Sequence, residues 1–191
     1  VKVWYDTEFV DTGTSIELIS IGLVAEDGRE YYAVNSDTPR GMLGRNDWLL
    51  RNVVPSLPIA NRASLDAYLK QPASAKAKVD FEVALDLKDT RVKPRWVIAN
   101  EVRDFLQSIP DLELWAWYAA YDHVALAQLW GRMTNLPAGV PMWTNDLKQE
   151  CMRLGNPAMP EQAEGLHNAL ADARRNRVMH EFLETLAKGD A

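Results

Sequence analysis

Apolar positions open the chain at strand spacing. Val1 to Phe9 is rich in Val and aromatic residues and is predicted as a first strand, followed by a turn at Thr12-Gly13-Thr14. From Ile16 to Ala25 both alternating sets are largely apolar: Ile16, Leu18, Ser20, Gly22 and Val24 on one, Ile19, Ile21 and Leu23 on the other. A strand apolar on both faces belongs in the middle of a sheet. Asp27-Gly28 is a hairpin signal, and Arg29 to Val34 follows as a third strand, so the opening unit is three antiparallel strands.

Further along, the spacing turns helical. Asn46 can cap a short helix to about Val53, stopped before Pro55. Ser64 can cap another from Leu65 to about Lys70, while residues 71–93 mix an Ala/Lys run with strand-like alternation from Val79 to Leu87. Pro94 suits the first turn of a helix running to about Gln107. Leu112 to Tyr118 reads as a strand and Tyr121 to Trp130 as a helix. Asn145 can cap a helix ending at Gly155, and Asn168 to Ala187 is a long final helix. Three strands, then helices, a strand and more helices indicate an α/β fold: a mixed sheet with helices on its faces.

The length of 191 residues favours a single domain, 1–191, and 47% hydrophobic with 25% charged residues is ordinary for a globular chain. No apolar run approaches the ~20 residues of a membrane span, and the opening lacks a signal-peptide layout, so a cytoplasmic protein is expected. Cys151 is the only cysteine, which excludes an intrachain disulfide and a cysteine-based zinc site. A formal net charge of −6 argues against a protein that coats long duplex DNA, yet allows an enzyme that grips a few nucleotides. The seven tryptophans read as core, interface or base-stacking surface.

The chemistry resides in acids. Asp6 and Glu8, two apart on a strand, project to the same face, where two like charges oppose each other unless a cation lies between them. Asp122 opens an apolar helix after a strand; alone it would pass for a helix-start acid. Asp172 falls one turn into the last helix, with His167 on the loop before it. Three carboxylate-bearing segments can surround two Mg²⁺ or Mn²⁺ ions, which take oxygen ligands. Two ions roughly 3.5–4 Å apart can clamp the attacking and leaving oxygens of a phosphodiester. A histidine, with an ordinary pKa near ~6.5, can take a proton from water at neutral pH.

Asp6-Thr7-Glu8, Asp122 in Ala119-Ala120-Tyr121-Asp122, and His167-x4-Asp172 resemble the three exonuclease motifs of the DEDDh superfamily. The runs Tyr5 to Phe9, Ile16 to Gly22, Glu30 to Val34, and Leu114 to Trp117 with Tyr121 to Leu126 resemble the narrower polyadenylate-specific 3′-exoribonuclease (RNase AS) branch. The resemblance implies a ribonuclease H-like fold, Mg²⁺ dependence, a homodimer, and 3′→5′ degradation of single-stranded, adenylate-rich RNA ends. Asp6, Glu8, Asp122 and Asp172 would hold metal and His167 would be the general base. Two departures stand out: Tyr118 occupies a position where many members carry Asn, and about 55–95 reads as an insertion.

Phe9, next to the acidic pair, is the candidate base-stacking ring, its other reading being core packing. Glu17 and Ser20 on the neighbouring strand are candidate polar contacts to the nucleotide. The same residues would serve a DNA 3′→5′ exonuclease of proofreading type. A silent nucleic-acid-binding module on the same fold is the alternative outside enzymes.

Overall fold

Three strands, β1 (Lys2–Asp11), β2 (Ile16–Ala25) and β3 (Glu30–Asn35), form an antiparallel meander in the computed structural model, which describes residues 1–73, 79–162 and 164–189. Shorter strands β4 (Val92–Lys93), β5 (Glu113–Ala116) and β6 (Asn145–Asp146) join in parallel, giving the order β4-β3-β2-β1-β5-β6. With helices against its faces this is the mixed α/β sheet expected from the strand and helix pattern.

The sheet is less regular than its alternation suggests. Glu8 pairs with Ser20 but Phe9 pairs with Leu18, leaving Ile19 as an extra residue on β2. Such a bulge reverses side-chain parity. Ile16 and Leu18 therefore share a core with Ile21 and Leu23, while Ile19 turns to a second core with Val10 and Val34. Simple period-two counting across β2 fails at this point, beside the acidic pair.

Helices start and stop where local chemistry dictates. α1 (Arg40–Leu43) precedes α2 (Asp47–Asn52), whose first turn is capped by the Asn46 side chain accepting from Leu49 N–H. α2 ends before Pro55 as expected, and Pro55 then enters a separate 3₁₀ turn, Val54–Ser56, where its missing N–H costs nothing. α3 (Arg62–Leu69) begins after Asn61 rather than at Ser64, because the Asn61 amide ties this corner to Glu82 and Ala84. Of the ambiguous 71–93 stretch, 74–78 lie outside the described residues. Val83 and Leu85 fill the second core, and Leu85 bridges Ile59.

Pro94 sits just outside α4 (Arg95–Gln107). The strand predicted from Leu112 to Tyr118 stops at Ala116, because Tyr118 turns into the left-handed region at φ +55°. α5 (Ala119–Ala127) then starts two residues earlier than predicted and closes in a 3₁₀ turn, Gln128–Trp130. Asn145 pairs in β6, so Asp146 caps α6 (Leu147–Arg153) instead.

α7 (Ala169–Gly189) lies across β1 and β2. The Arg174 guanidinium grips Glu30 with two hydrogen bonds, and the buried Asn176 amide donates to the Tyr5 carbonyl at 2.9 Å. The closest approach is at Gly22, where a Cβ would stand 2.4 Å from backbone atoms of Ala169 and Leu170. No flexible side chain can yield there. Gly22→Ala is expected to destabilise the fold by about 3 kcal/mol by overpacking. A urea midpoint equal to that of the unsubstituted protein would show that the helix does not need this approach.

Candidate active site

β1 extends beyond its pairing with β5, which ends at Trp4 opposite Trp115. Asp6 and Glu8 lie on that extension and share the face beneath α7. Asp172, in the first turn of α7, comes to them from above: carboxylate oxygens of Asp6, Glu8 and Asp172 all lie within 4.8 Å of one another. Gly22 makes this convergence possible, since α7 could not rest so low over any side chain.

Asp122 arrives from the other side of the strand. It is buried in the first turn of α5 and accepts from the Thr7 backbone N–H at 2.8 Å and the Thr7 hydroxyl at 2.7 Å. Thr7, between the two strand acids, thus fixes the fourth carboxylate. Asp6 feels the charges of Asp122, Glu8 and Asp172.

The electrostatics follow. Burial first, then the neighbouring acids, push Glu8 up to about 8 and raise Asp6 well above the usual carboxylate range. Burial also raises Asp122 to about 6, against the pull of its Thr7 hydrogen bonds. Asp172 is raised by burial and partly drawn back by His167 and Arg175. Carboxylates forced together, with burial and mutual repulsion opposing their charge, are a donor set that a hard divalent cation would relieve.

His167 stands at the rim on the loop before α7, at φ +59°. Its carbonyl accepts from Ser56 Oγ at 2.8 Å, and its ring meets the exposed Trp48 edge-on with centroids 4.9 Å apart. The segment around α2 thus braces the histidine. Asn168 caps α7 by accepting from Ala171 N–H.

All five residues surround one cleft of about 320 Å³, sized for a nucleotide-scale ligand. Phe9 lines it, half-buried and stacked on Tyr121 with centroids 5.9 Å apart and planes 23° apart. The ring is thus both a wall of the cleft and a neighbour of the core. Glu17 and Ser20 are not among the lining residues: Glu17 pairs with Val10 beyond the bulge, and Ser20 is fully buried opposite Glu8. Trp117, Tyr118, Tyr121, Arg175 and Asn176 also line the cleft, and sequence reasoning assigned none of them. A signal existed for two of them. Arg175 and Asn176 follow Asp172 by three and four residues, the spacing that keeps side chains on one helical face.

Comparison with known proteins fits this picture. Residues 1–183 match the family described as the 3′-5′ exoribonuclease Rv2179c-like domain. Two curated relatives from Mycobacterium tuberculosis, the 3′-5′ exoribonuclease Rv2179c of strain ATCC 25618 / H37Rv and the 3′-5′ exoribonuclease MT2234.1 of strain CDC 1551 / Oshkosh, are each 42% identical over 176 residues. These alignments cover 91% of this chain and 88% of each relative. Among solved structures, the Mg²⁺- and Mn²⁺-bound form of S. pombe Pop2p is similar at 14% identity and a TM-score of 0.42, covering 96% of this chain and 81% of that one. With the family model matched over nearly the whole chain, and relatives of this identity, the chain belongs to the Rv2179c-like 3′–5′ exoribonuclease domain family.

Proposed function

We propose that this protein removes nucleotides from the 3′ ends of single-stranded RNA with the help of two divalent cations, Mg²⁺ or Mn²⁺. The observation that carries the reading is the meeting of Asp6, Glu8 and Asp172, with Asp122 fixed behind them, in a nucleotide-sized cleft walled by aromatic rings. The donor set is all carboxylate oxygen, which suits Mg²⁺ or Mn²⁺ over softer metals. Asp6, Glu8, Asp122 and Asp172 would hold the ions. When bound, such ions supply electrostatic stabilisation to the attacking and leaving oxygens of the phosphodiester.

The chain's own groups do the rest. His167 Nδ1 or Nε2 takes the proton from the attacking water. The stacked Phe9–Tyr121 pair offers a flat apolar wall against which the terminal base can lie. Trp48 and Ser56 hold the histidine loop in place. The resemblance to RNase AS extends the reading to adenylate-rich tails and a homodimer. Among the described residues no helix is long and apolar enough to cross a membrane.

The test is to incubate the protein with 3′-hydroxyl, 5′-labelled poly(A), mixed-sequence RNA and single-stranded DNA, with Mg²⁺ or with EDTA, and to map the products. A ladder shortening from the 3′ end of RNA, abolished by EDTA, is expected, with poly(A) lost fastest at fixed salt. Faster loss of DNA would make it a DNA exonuclease. Equal loss of all RNAs would remove the adenylate preference alone. Equilibrium sedimentation tests the dimer.

The metals make a thermal prediction. Raised carboxylate pKa values mean that the metal-free fold holds protons which the unfolded chain has released. Their stabilising contribution is complete at low pH and is lost as pH rises through the folded values. Between about pH 7 and about pH 9, where Glu8 ionises, the melting temperature in EDTA should fall. This range lies above the titration of buried His180, whose pKa burial pushes down. Added Mg²⁺ should raise the melting temperature more at the upper end of the range, because a ligand that binds only the folded state stabilises it. A Mg²⁺ effect that is absent, or larger at the lower pH, would contradict the carboxylate site.

A further inference from the structure

Arg175 is the only arginine or lysine lining this acidic cleft among the described residues. It follows Asp172 by three residues and precedes Met179 by four, so the three form one stripe of α7 facing the cleft. The stripe runs from the acidic cluster to Met179, against whose cluster Trp117, another lining residue, packs. The guanidinium is poorly used by the protein. Among the described residues its Nε is buried without a hydrogen-bond partner, and Nη2 donates over a long 3.5 Å to the Pro160 carbonyl. By contrast, neighbouring Arg174 spends two donors on Glu30. The half-buried guanidinium neighbours Asp172 and lines the cleft, so the part of its fork that is not buried is set to receive an anion that enters there.

We propose that Arg175 is a substrate-binding residue that takes a backbone phosphate of the RNA in the cleft, beside Met179 and Trp117. The inference rests on the ribonuclease reading above. The planar fork matches two phosphate oxygens at once, and its charge offsets part of the repulsion a polyanion meets on nearing the acids. It thereby anchors the strand while the neighbouring phosphodiester is cut.

The experiment compares Arg175→Met, Arg175→Lys and, as a control, Arg132→Met, an exposed arginine outside the cleft. KM and kcat for a 3′-hydroxyl RNA oligonucleotide are measured at saturating Mg²⁺ from about 50 to about 200 mM KCl. Arg175→Met should raise KM by about tenfold or more, with a smaller change in kcat, as expected for loss of a charge-assisted contact. The dependence of log KM on log salt should become shallower by about 0.7, the value of one phosphate contact to a single strand. Arg175→Lys should keep the slope but not the full affinity, since an ammonium retains charge without the fork. Arg132→Met should match the unsubstituted protein. If Arg175→Met does not fold, the lysine variant decides through its KM.

A residue that merely braces the Pro160 loop would lower the melting temperature and leave the salt slope alone; that result overturns the proposal. So does a KM at Arg175→Met or Arg175→Lys equal to that of an active unsubstituted protein. An unsubstituted protein that cleaves no RNA would instead remove the ribonuclease reading, and this one with it.

Discussion

Asp6→Asn should lose at least ~100-fold in RNA cleavage, because metal ions of this kind supply several kcal/mol of transition-state stabilisation. Asparagine keeps the shape of the side chain and removes its charge. Asp6 meets Glu8 and Asp172 and feels the charge of Asp122, so under the proposed reading its loss weakens the donor set as a whole. The same change should leave the metal-free fold intact and raise its melting temperature at neutral pH, as one source of repulsion disappears. Opposite movements of activity and stability separate a ligand from a core residue. Cleavage at the unsubstituted rate in saturating Mg²⁺ would remove Asp6 from the site.

His167→Ala should slow the chemical step by ~10²–10⁴-fold, the usual worth of a general base. Mg²⁺ affinity, read by titrating the melting temperature, should change little. The histidine sits on the rim, its backbone held by Ser56 and its ring against Trp48, so alanine at this position leaves the four acids where they are. Single-turnover rates at saturating Mg²⁺ isolate the chemistry from product release. A normal single-turnover rate with a collapsed Mg²⁺ affinity would make His167 a ligand instead.

Much of this geometry could be read before any coordinates, and what could not be read has physical reasons. Asp6 and Glu8 share a face because strand side chains alternate, which is a local rule. Asp172 sits one turn into a helix that the sequence places from Asn168 onward, and the structure adds the Asn168 cap. The bulge at Ile19 was hidden, since both faces of β2 are apolar and alternation cannot detect a slip between two apolar sets. The early end of β5 was hidden too. A tyrosine in the left-handed region contradicts local preference, and only tertiary contacts hold it there. Residues 79–87 carry strand-like spacing yet form a single bridge, because their partners are the turns on either side of α2, at Gly44 and at Pro58 to Ala60, rather than another strand. Trp48 and Ser56 reach His167 across the fold, a contact no motif records. Glu17 and Ser20 were inferred from adjacency alone, which does not fix whether a side chain reaches the cleft.

The placement of Asp172 on the last helix has a consequence for how the protein is made. During synthesis β1 and β2 can pair early, since their residues are close in the chain, whereas α7 must close the longest loop in the fold. A ribosome-bound chain interrupted before residue 172 therefore carries Asp6 and Glu8 without the third carboxylate that meets them. The incomplete chain thus lacks the meeting of three carboxylates on which the proposed activity rests. The acidic cluster comes into being only when the final helix settles over Gly22.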